Sequence, residues 1–273
     1  MTIDSGRYGP WAVIAGGSEG VGAAFAEELA ASGINLVLVA RTPQALARTA
    51  RTAMRHGVEV RTAELDLLAG VGGHGAPRGV PAELRAVTDG LDIGLLVVNA
   101  GANSYGHEFV SGDLAAFQRV VHLNITARLA LAHHYGAALK RRGRGGILLV
   151  GSLAGYLGQA HVTVYNAAKA FTRVFAEGLW LELREHGVHV LELVLGVTRT
   201  PAMERAGLDF GLPGLTVAEP GDVAREGLAR LADGPVWIAG GNEAAAEARS
   251  GADRAKLVLG AQAAFRRLLP RDR

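Results

Sequence analysis

The chain has 273 residues, 28 Lys+Arg against 26 Asp+Glu, a formal net charge of +2 and no cysteine. That composition excludes a disulfide, a thiolate nucleophile and a cysteine metal site, and so small a charge surplus gives no support for nucleic-acid binding, although the sequence pI is near 9.1. Hydrophobic residues make up 49%, enough for a sizeable core, but no apolar run reaches membrane-spanning length. The first residues, MTIDSGRYGPWAVIAGG, lack the layout of a secretion signal, so a cytoplasmic location is expected.

Short runs rich in Val, Ile and Leu alternate with helix-length stretches along the chain. Strands are predicted at 11–15, 35–40, 58–65, 93–98, 146–151, 188–195 and 236–239. These runs are continuous rather than alternating in polarity, as strands buried on both faces are. Helical periodicity fills 23–31, 44–56, 114–142 and 162–185, and Thr42-Pro43 offers the second of these an N-cap and a first-turn proline. The βαβαβ order predicts an α/β fold: one doubly wound Rossmann-type domain over 1–273, with an approximately seven-stranded parallel sheet flanked by helices. The glycine-rich stretch 69–80 is too short for a linker and is read as a surface loop. The cation run 140–144 falls where a helix should end, which complements the helix dipole.

After the first strand comes Ala15-Gly16-Gly17-Ser18-Glu19-Gly20-Val21-Gly22, then a helix. Glycines allow a sharp turn and close approach to a pyrophosphate, and the helix start offers unpaired N–H groups. Gly16, Ser18, Gly20, Val21 and Gly22 are therefore candidate cofactor contacts. The same residues satisfy the G-x-S-x-G pattern of a hydrolase nucleophile elbow centred on Ser18. An elbow normally follows several strands, however, and here only one precedes it. At the end of the second strand, Ala40 carries no charge, while Arg41 can clamp a phosphate beside Thr42. An acidic residue there would bind a ribose 2′-hydroxyl, so this end favours NADP(H) over NAD(H).

Further along, Tyr165 and Lys169 stand four apart in VYNAAKAF, and Ser152 stands thirteen before the tyrosine. On a helix, residues i and i+4 share a face, so phenol and ammonium point into one cleft. A free tyrosine has a pKa of about 10, and a neighbouring cation moves it toward working pH. No H-E-x-x-H pattern occurs among the nine histidines, and no metal site is expected.

With these pieces in place, the chain resembles the short-chain dehydrogenase/reductase family from about residue 11 to 236. Gly16, Gly20 and Gly22 match its T-G-x-x-x-G-x-G loop, and Asp66 matches the acidic residue that contacts adenine. Asn99-Ala100-Gly101 matches N-N-A-G, and Gly196 and Thr200, flanking Thr198, match the P-G-x-x-x-T segment at the nicotinamide end. Asn124, Ser152, Tyr165 and Lys169 fill the four places of the catalytic tetrad. Ala15, Val98 and Leu195 depart from the pattern, and Glu19 stands where NADP-preferring relatives often carry a basic residue.

The resemblance implies that Tyr165 is the general acid in carbonyl reduction. It implies that Lys169 lowers the phenol pKa and holds ribose hydroxyls, and that Ser152 orients the carbonyl. Asn124 would bend its helix and hold a water linking Lys169 to solvent. The expected function is an NADP(H)-dependent carbonyl/alcohol oxidoreductase, the alternative a catalytically silent nucleotide-binding regulator of the same fold. Residues 200–217 hold Met203, Leu208, Phe210, Leu212 and Leu215, an apolar lid suited to a lipophilic substrate. Family members commonly pair two long helices across a twofold axis, so a homodimer or homotetramer is expected through Leu129, Phe171, Phe175 and Trp180.

Overall fold

The computed structural model describes residues 3–68, 80–103, 105–212 and 215–268. The stretch read as a surface loop lies outside the described residues except for Val80, which is buried.

Seven strands form one parallel sheet: β1 (Trp11–Ala15), β2 (Asn35–Ala40), β3 (Val60–Glu64), β4 (Ile93–Val98), β5 (Gly145–Val150), β6 (Val188–Val194) and β9 (Val236–Ile238). Their order across the sheet is β3-β2-β1-β4-β5-β6-β9, and every pairing is parallel. A two-residue pair, β7 (Val197–Thr198) with β8 (Val217–Ala218), stands apart from it. The helices are α1 (Ser5–Tyr8), α2 (Gly20–Ala31), α3 (Pro43–Met54), α4 (Ala82–Thr88), α5 (Leu114–Val121), α6 (Ala127–Arg142), α7 (Thr163–Leu183), α8 (Pro201–Arg205), α9 (Pro220–Ala229), α10 (Glu243–Ala248) and α11 (Arg254–Leu268).

Side chains alternate across the sheet and feed two cores. Ala12 and Ile14 of β1 pack with Phe25 and Leu29 of α2, Leu46 of α3 and Val223 of α9. Trp11, Val13 and Ala15 pack on the other face with Leu84 of α4, Leu131 and Tyr135 of α6 and Ala176 of α7. Both faces are apolar, which is why the strand segments read as unbroken Val/Ile/Leu runs.

The seven predicted strands are all present, three with the predicted ends and four with ends shifted by one or two residues. The predicted helix 114–142 is interrupted: residues His122–Thr126 form a π-helical turn between α5 and α6. The Asn124 side chain stabilises it, donating from Nδ2 to the Val120 carbonyl at 2.9 Å and to that of Ala102 at 3.0 Å. A widened turn leaves a carbonyl unpaired, and the amide satisfies it. Thr42 stands at the N-cap of α3 with Pro43 in its first turn, as predicted, but the Thr42 hydroxyl makes no capping bond. The cation run does close α6, where Gly143 adopts a left-handed φ of 71° and Arg142 pairs with Asp92 at 2.7 Å.

Candidate active site

The chain changes direction between β1 and β4, and a cavity of about 730 Å³ opens there at the carboxyl ends of the strands. Crevices of α/β sheets form at such switch points. Gly16 follows β1, Arg41 β2, Leu65 β3, Asn99 β4, Gly151 β5 and Leu195 β6, and all six line the cavity.

The glycine-rich turn makes one wall. Gly22 is locked in place, because a Cβ there would lie 1.9 Å from the Gly16 carbonyl oxygen. Asn99 ties the turn to the next strand, donating from Nδ2 to the Gly16 carbonyl at 2.8 Å. Thr49 Oγ1 donates to the Ser18 carbonyl at 2.9 Å. Helix α2 then starts without a side-chain cap, so its first N–H groups remain available to an anion.

Of the predicted cofactor contacts, Gly16, Ser18, Gly20, Val21, Arg41, Thr42, Asn99, Ala100, Gly101, Gly196, Thr198 and Thr200 line the cavity, together with Ser152, Tyr165 and Lys169. Gly22 lies beneath the turn. Asp66 does not form the wall at the end of β3, where Leu65 and Leu67 stand; its carboxylate accepts from the Leu68 N–H at 3.0 Å. Asn124 sits behind the wall, fully buried. Arg48, which sequence reasoning passed over, lines the cavity with Arg41. Its place on α3, seven residues after Arg41, was the available signal.

Glu19 answers for its own mismatch: its carboxylate pairs with Arg205 at the end of α8, with Nη1 at 3.1 Å. The carboxylate is thus occupied by a cation from the lid segment. Within that segment Met203 lines the cavity, while Phe210 packs under the Arg199 guanidinium, 4.7 Å from its ring centre.

At the other end, α7 carries Tyr165 and Lys169 on one face, with Lys169 Nζ 5.7 Å from the Tyr165 ring centre. Ser152 follows β5, and its Oγ accepts from the Ala154 N–H at 3.1 Å. With that lone pair engaged, the hydroxyl proton is free to point toward the phenol or a ligand. Lys169 is buried and donates to the Val150 carbonyl at 3.2 Å. Burial lowers its pKa to about 7, helped by the charge of Arg128 and opposed by Glu192. Burial also raises the Tyr165 phenol; the Ser152 hydrogen bond and then the Arg128 charge pull it back. Arg128 and Glu192 were both missed in the sequence. The signal was present in each case: a lone arginine in NITARLALA and a lone glutamate in VHVLELVLG.

The short chain dehydrogenase family model matches residues 10–209. The chain belongs to the short-chain dehydrogenase/reductase family, whose members are oxidoreductases that bind NAD(P). A 7beta-hydroxysteroid dehydrogenase of Clostridium sardiniense is 29% identical over 86% of this chain and 87% of its own length. A solved structure of a 7beta-hydroxysteroid dehydrogenase superposes with a TM-score of 0.83 at 26% identity, covering 96% of this chain and all of the other. A very-long-chain 3-oxoacyl-CoA reductase of Neurospora crassa is 34% identical over 73% of this chain but only 59% of its own length. A short-chain dehydrogenase from Sphingobium yanoikuyae, solved with NADPH, has a TM-score of 0.73 at 31% identity, covering 97% of this chain and 98% of the other.

Proposed function

We propose that the protein is an NADP(H)-dependent reductase of lipophilic ketones or aldehydes, working as a single catalytic domain over 1–273 in the cytoplasm. One observation carries this reading: Ser152, Tyr165 and Lys169 face a cavity whose far end is lined by Arg41 and Arg48. The cavity would take an extended dinucleotide, with the uncapped N–H groups at the start of α2 available to its pyrophosphate. Arg41 and Arg48 would hold a 2′-phosphate, with Glu19 neutralised by Arg205. The bound cofactor supplies the hydride.

The chain's own residues then manage the carbonyl oxygen. The Ser152 hydroxyl and the Tyr165 phenol converge where oxyanion charge develops, and Tyr165 donates its proton to that oxygen. Lys169 holds the ribose end and faces the phenol along α7. Asn124 holds the π-helical turn between α5 and α6 through its bond to the Val120 carbonyl, which would keep that turn beside the cleft wall. Met203 on the lid supplies apolar surface to the substrate. Relatives that act on hydroxysteroids or 3-oxoacyl-CoA support a lipophilic substrate.

The decisive experiment titrates NADPH and NADH and follows cofactor oxidation against a panel of steroid, fatty acyl and aromatic ketones. Tighter NADPH binding with turnover of at least one panel member is expected. Cofactor binding with no turnover across the panel would leave a nucleotide-binding regulator instead.

Assembly belongs to the same proposal. Leu129 on α6 and Val174 and Leu181 on α7 are exposed, while Phe171 and Phe175 stack at 5.5 Å between ring centres. An apolar stripe on two adjacent long helices suits an isologous contact, so the protein should form a homo-oligomer. Light scattering at micromolar concentration checks this: a mass near 28.4 kDa would refute it.

A further inference from the structure

Behind the cleft wall, between α6, α7 and the β5–β6 edge, lies a cluster of buried charge outside the tetrad. Arg128 is wholly inaccessible, and Glu192 is 1% exposed. Arg128 Nε donates to the Asn124 carbonyl at 3.3 Å and Nη2 to the Val150 carbonyl at 3.2 Å. Lys169 Nζ donates to that same Val150 oxygen, also at 3.2 Å. Two cations therefore share one carbonyl. Glu192 lies on β6 in register with Leu149 of β5. Gly151 makes room for its carboxylate, since a Cβ there would come within 2.1 Å of Oε1. Arg128 Nη1, Glu192 Oε2 and Asn124 Oδ1 are buried without a direct protein partner.

Asn124, Lys169 and Arg128 close on one point. A Cβ on Gly101, itself part of the cavity wall, would lie 2.7 Å from Asn124 Oδ1, 3.2 Å from Lys169 Nζ and 3.6 Å from Arg128 Nη2. An ion removed from water costs several kcal/mol, and hydrophobic residues of similar volume would fill such a space at no loss of stability. Holding a guanidinium beside an ammonium is worse still for stability. Its consequence is local: a buried positive charge beside Lys169, four residues from Tyr165 on the same helix, with the Glu192 carboxylate nearby to balance it.

We infer that Arg128, balanced by Glu192, is a positioning residue for the Tyr165–Lys169 pair, the buried cation that offsets part of the cost of ionising the phenol while Lys169 serves the cofactor. The inference rests on Tyr165 being the proton-transfer group. Lys169 is poorly suited to be the fixed charge, because burial brings its own titration to about 7. Arg128 keeps its proton throughout the neutral range, with a pKa lowered by burial only to about 10. The charged groups that bear on this cluster are Lys169, Arg173 and Glu177 from α7, Arg128 from α6 and Glu192 from β6, whose own carboxyl is raised by burial to about 7.

The test reads the phenol directly and needs no substrate. The chain has five tyrosines, and the ultraviolet phenolate titration of each background minus that of its Tyr165→Phe counterpart isolates one of them. In the charge-free pair Arg128→Met/Glu192→Gln, the Tyr165 transition should move up by about one pH unit or more. Glu192→Gln alone should move it down, because Arg128 is then unbalanced. Arg128→Lys should hold it near the parent position. The alkaline limb of the pH–rate profile for reduction should follow the same shifts, since the phenol must be protonated to donate. A transition that stays in place in both Glu192→Gln and the double variant would overturn the inference and leave the cluster a packing feature. If the double variant does not fold, Glu192→Gln decides alone. Normal turnover in Tyr165→Phe would defeat the acid assignment while leaving this titration readable, so the two failures are distinguishable.

Discussion

At the Tyr165 end of the cavity the polar groups are buried among α6, α7 and the sheet: Lys169 is 3% exposed and Asn124 and Arg128 are inaccessible. At the Arg41 end the cations stand in solvent, with Arg41, Thr42 and Arg48 all exposed. The difference is one of dielectric. A charge in the buried wall acts at close range on its neighbours and is screened much less by salt. A charge at the exposed rim acts weakly until a ligand covers it, and is readily exchanged for another. The buried end is suited to chemistry, and the exposed end to choosing which cofactor enters.

Substitutions should therefore differ in size and in salt dependence between the two ends. Ser152→Ala removes one donor at the oxyanion position. Turnover should fall about 10²–10³-fold, with cofactor affinity nearly unchanged. Steady-state kinetics at 50 and 500 mM salt should give the same factor, and a loss that disappears at high salt would contradict a buried origin.

Arg41→Asp at the exposed end should act on binding alone. Charge-assisted bonds of this kind contribute about 1.5–3 kcal/mol, so NADPH affinity should fall roughly 10–100-fold while NADH affinity holds or improves. Calorimetric titration of both cofactors checks the reversal. Equal NADPH and NADH affinity in the unaltered protein would reduce Arg41 to a solvated side chain. Arg48→Ala should act in the same direction with a smaller loss.

Much of the exposed end was legible in the sequence. Glycine spacing, the end of the second strand and Asn99-Ala100-Gly101 are contiguous signals on the loops that follow strands, and all reach the cavity. At the end of β3 the sequence marks Asp66, whose carboxylate bonds to the turn, and the fold adds Leu65 and Leu67 to the cavity wall. The buried end was legible in part. Tyr165, Lys169 and Ser152 announce themselves by spacing, whereas apolar periodicity runs through Asn124 unbroken and only the family resemblance implied that it bends its helix. Arg128 and Glu192 are 64 residues apart in sequence and come together only because β6 pairs with β5 beneath α6 and α7. Each lone charge in an apolar run is legible locally, but that the two are buried together is not.

The smallest effect should come from the Glu19–Arg205 pair, which joins the glycine-rich turn to α8 in solvent. Arg205→Ala frees the Glu19 carboxylate near the cavity and loosens the lid. NADPH affinity should fall no more than a few-fold, and raising salt should erase the loss. Cofactor titration at two ionic strengths checks this. A loss that persists in high salt would mean that the pair is part of the buried wall rather than of the rim.

The account stands most directly on Tyr165. In a single-turnover experiment the enzyme is loaded with NADPH and mixed with a ketone that the unaltered protein reduces, and cofactor oxidation is followed at 340 nm. Tyr165→Phe should bind NADPH as the parent does and lose at least ~10²-fold in the oxidation rate, the contribution of a positioned general acid. A rate close to that of the parent would contradict the account, because the proton would then come from elsewhere.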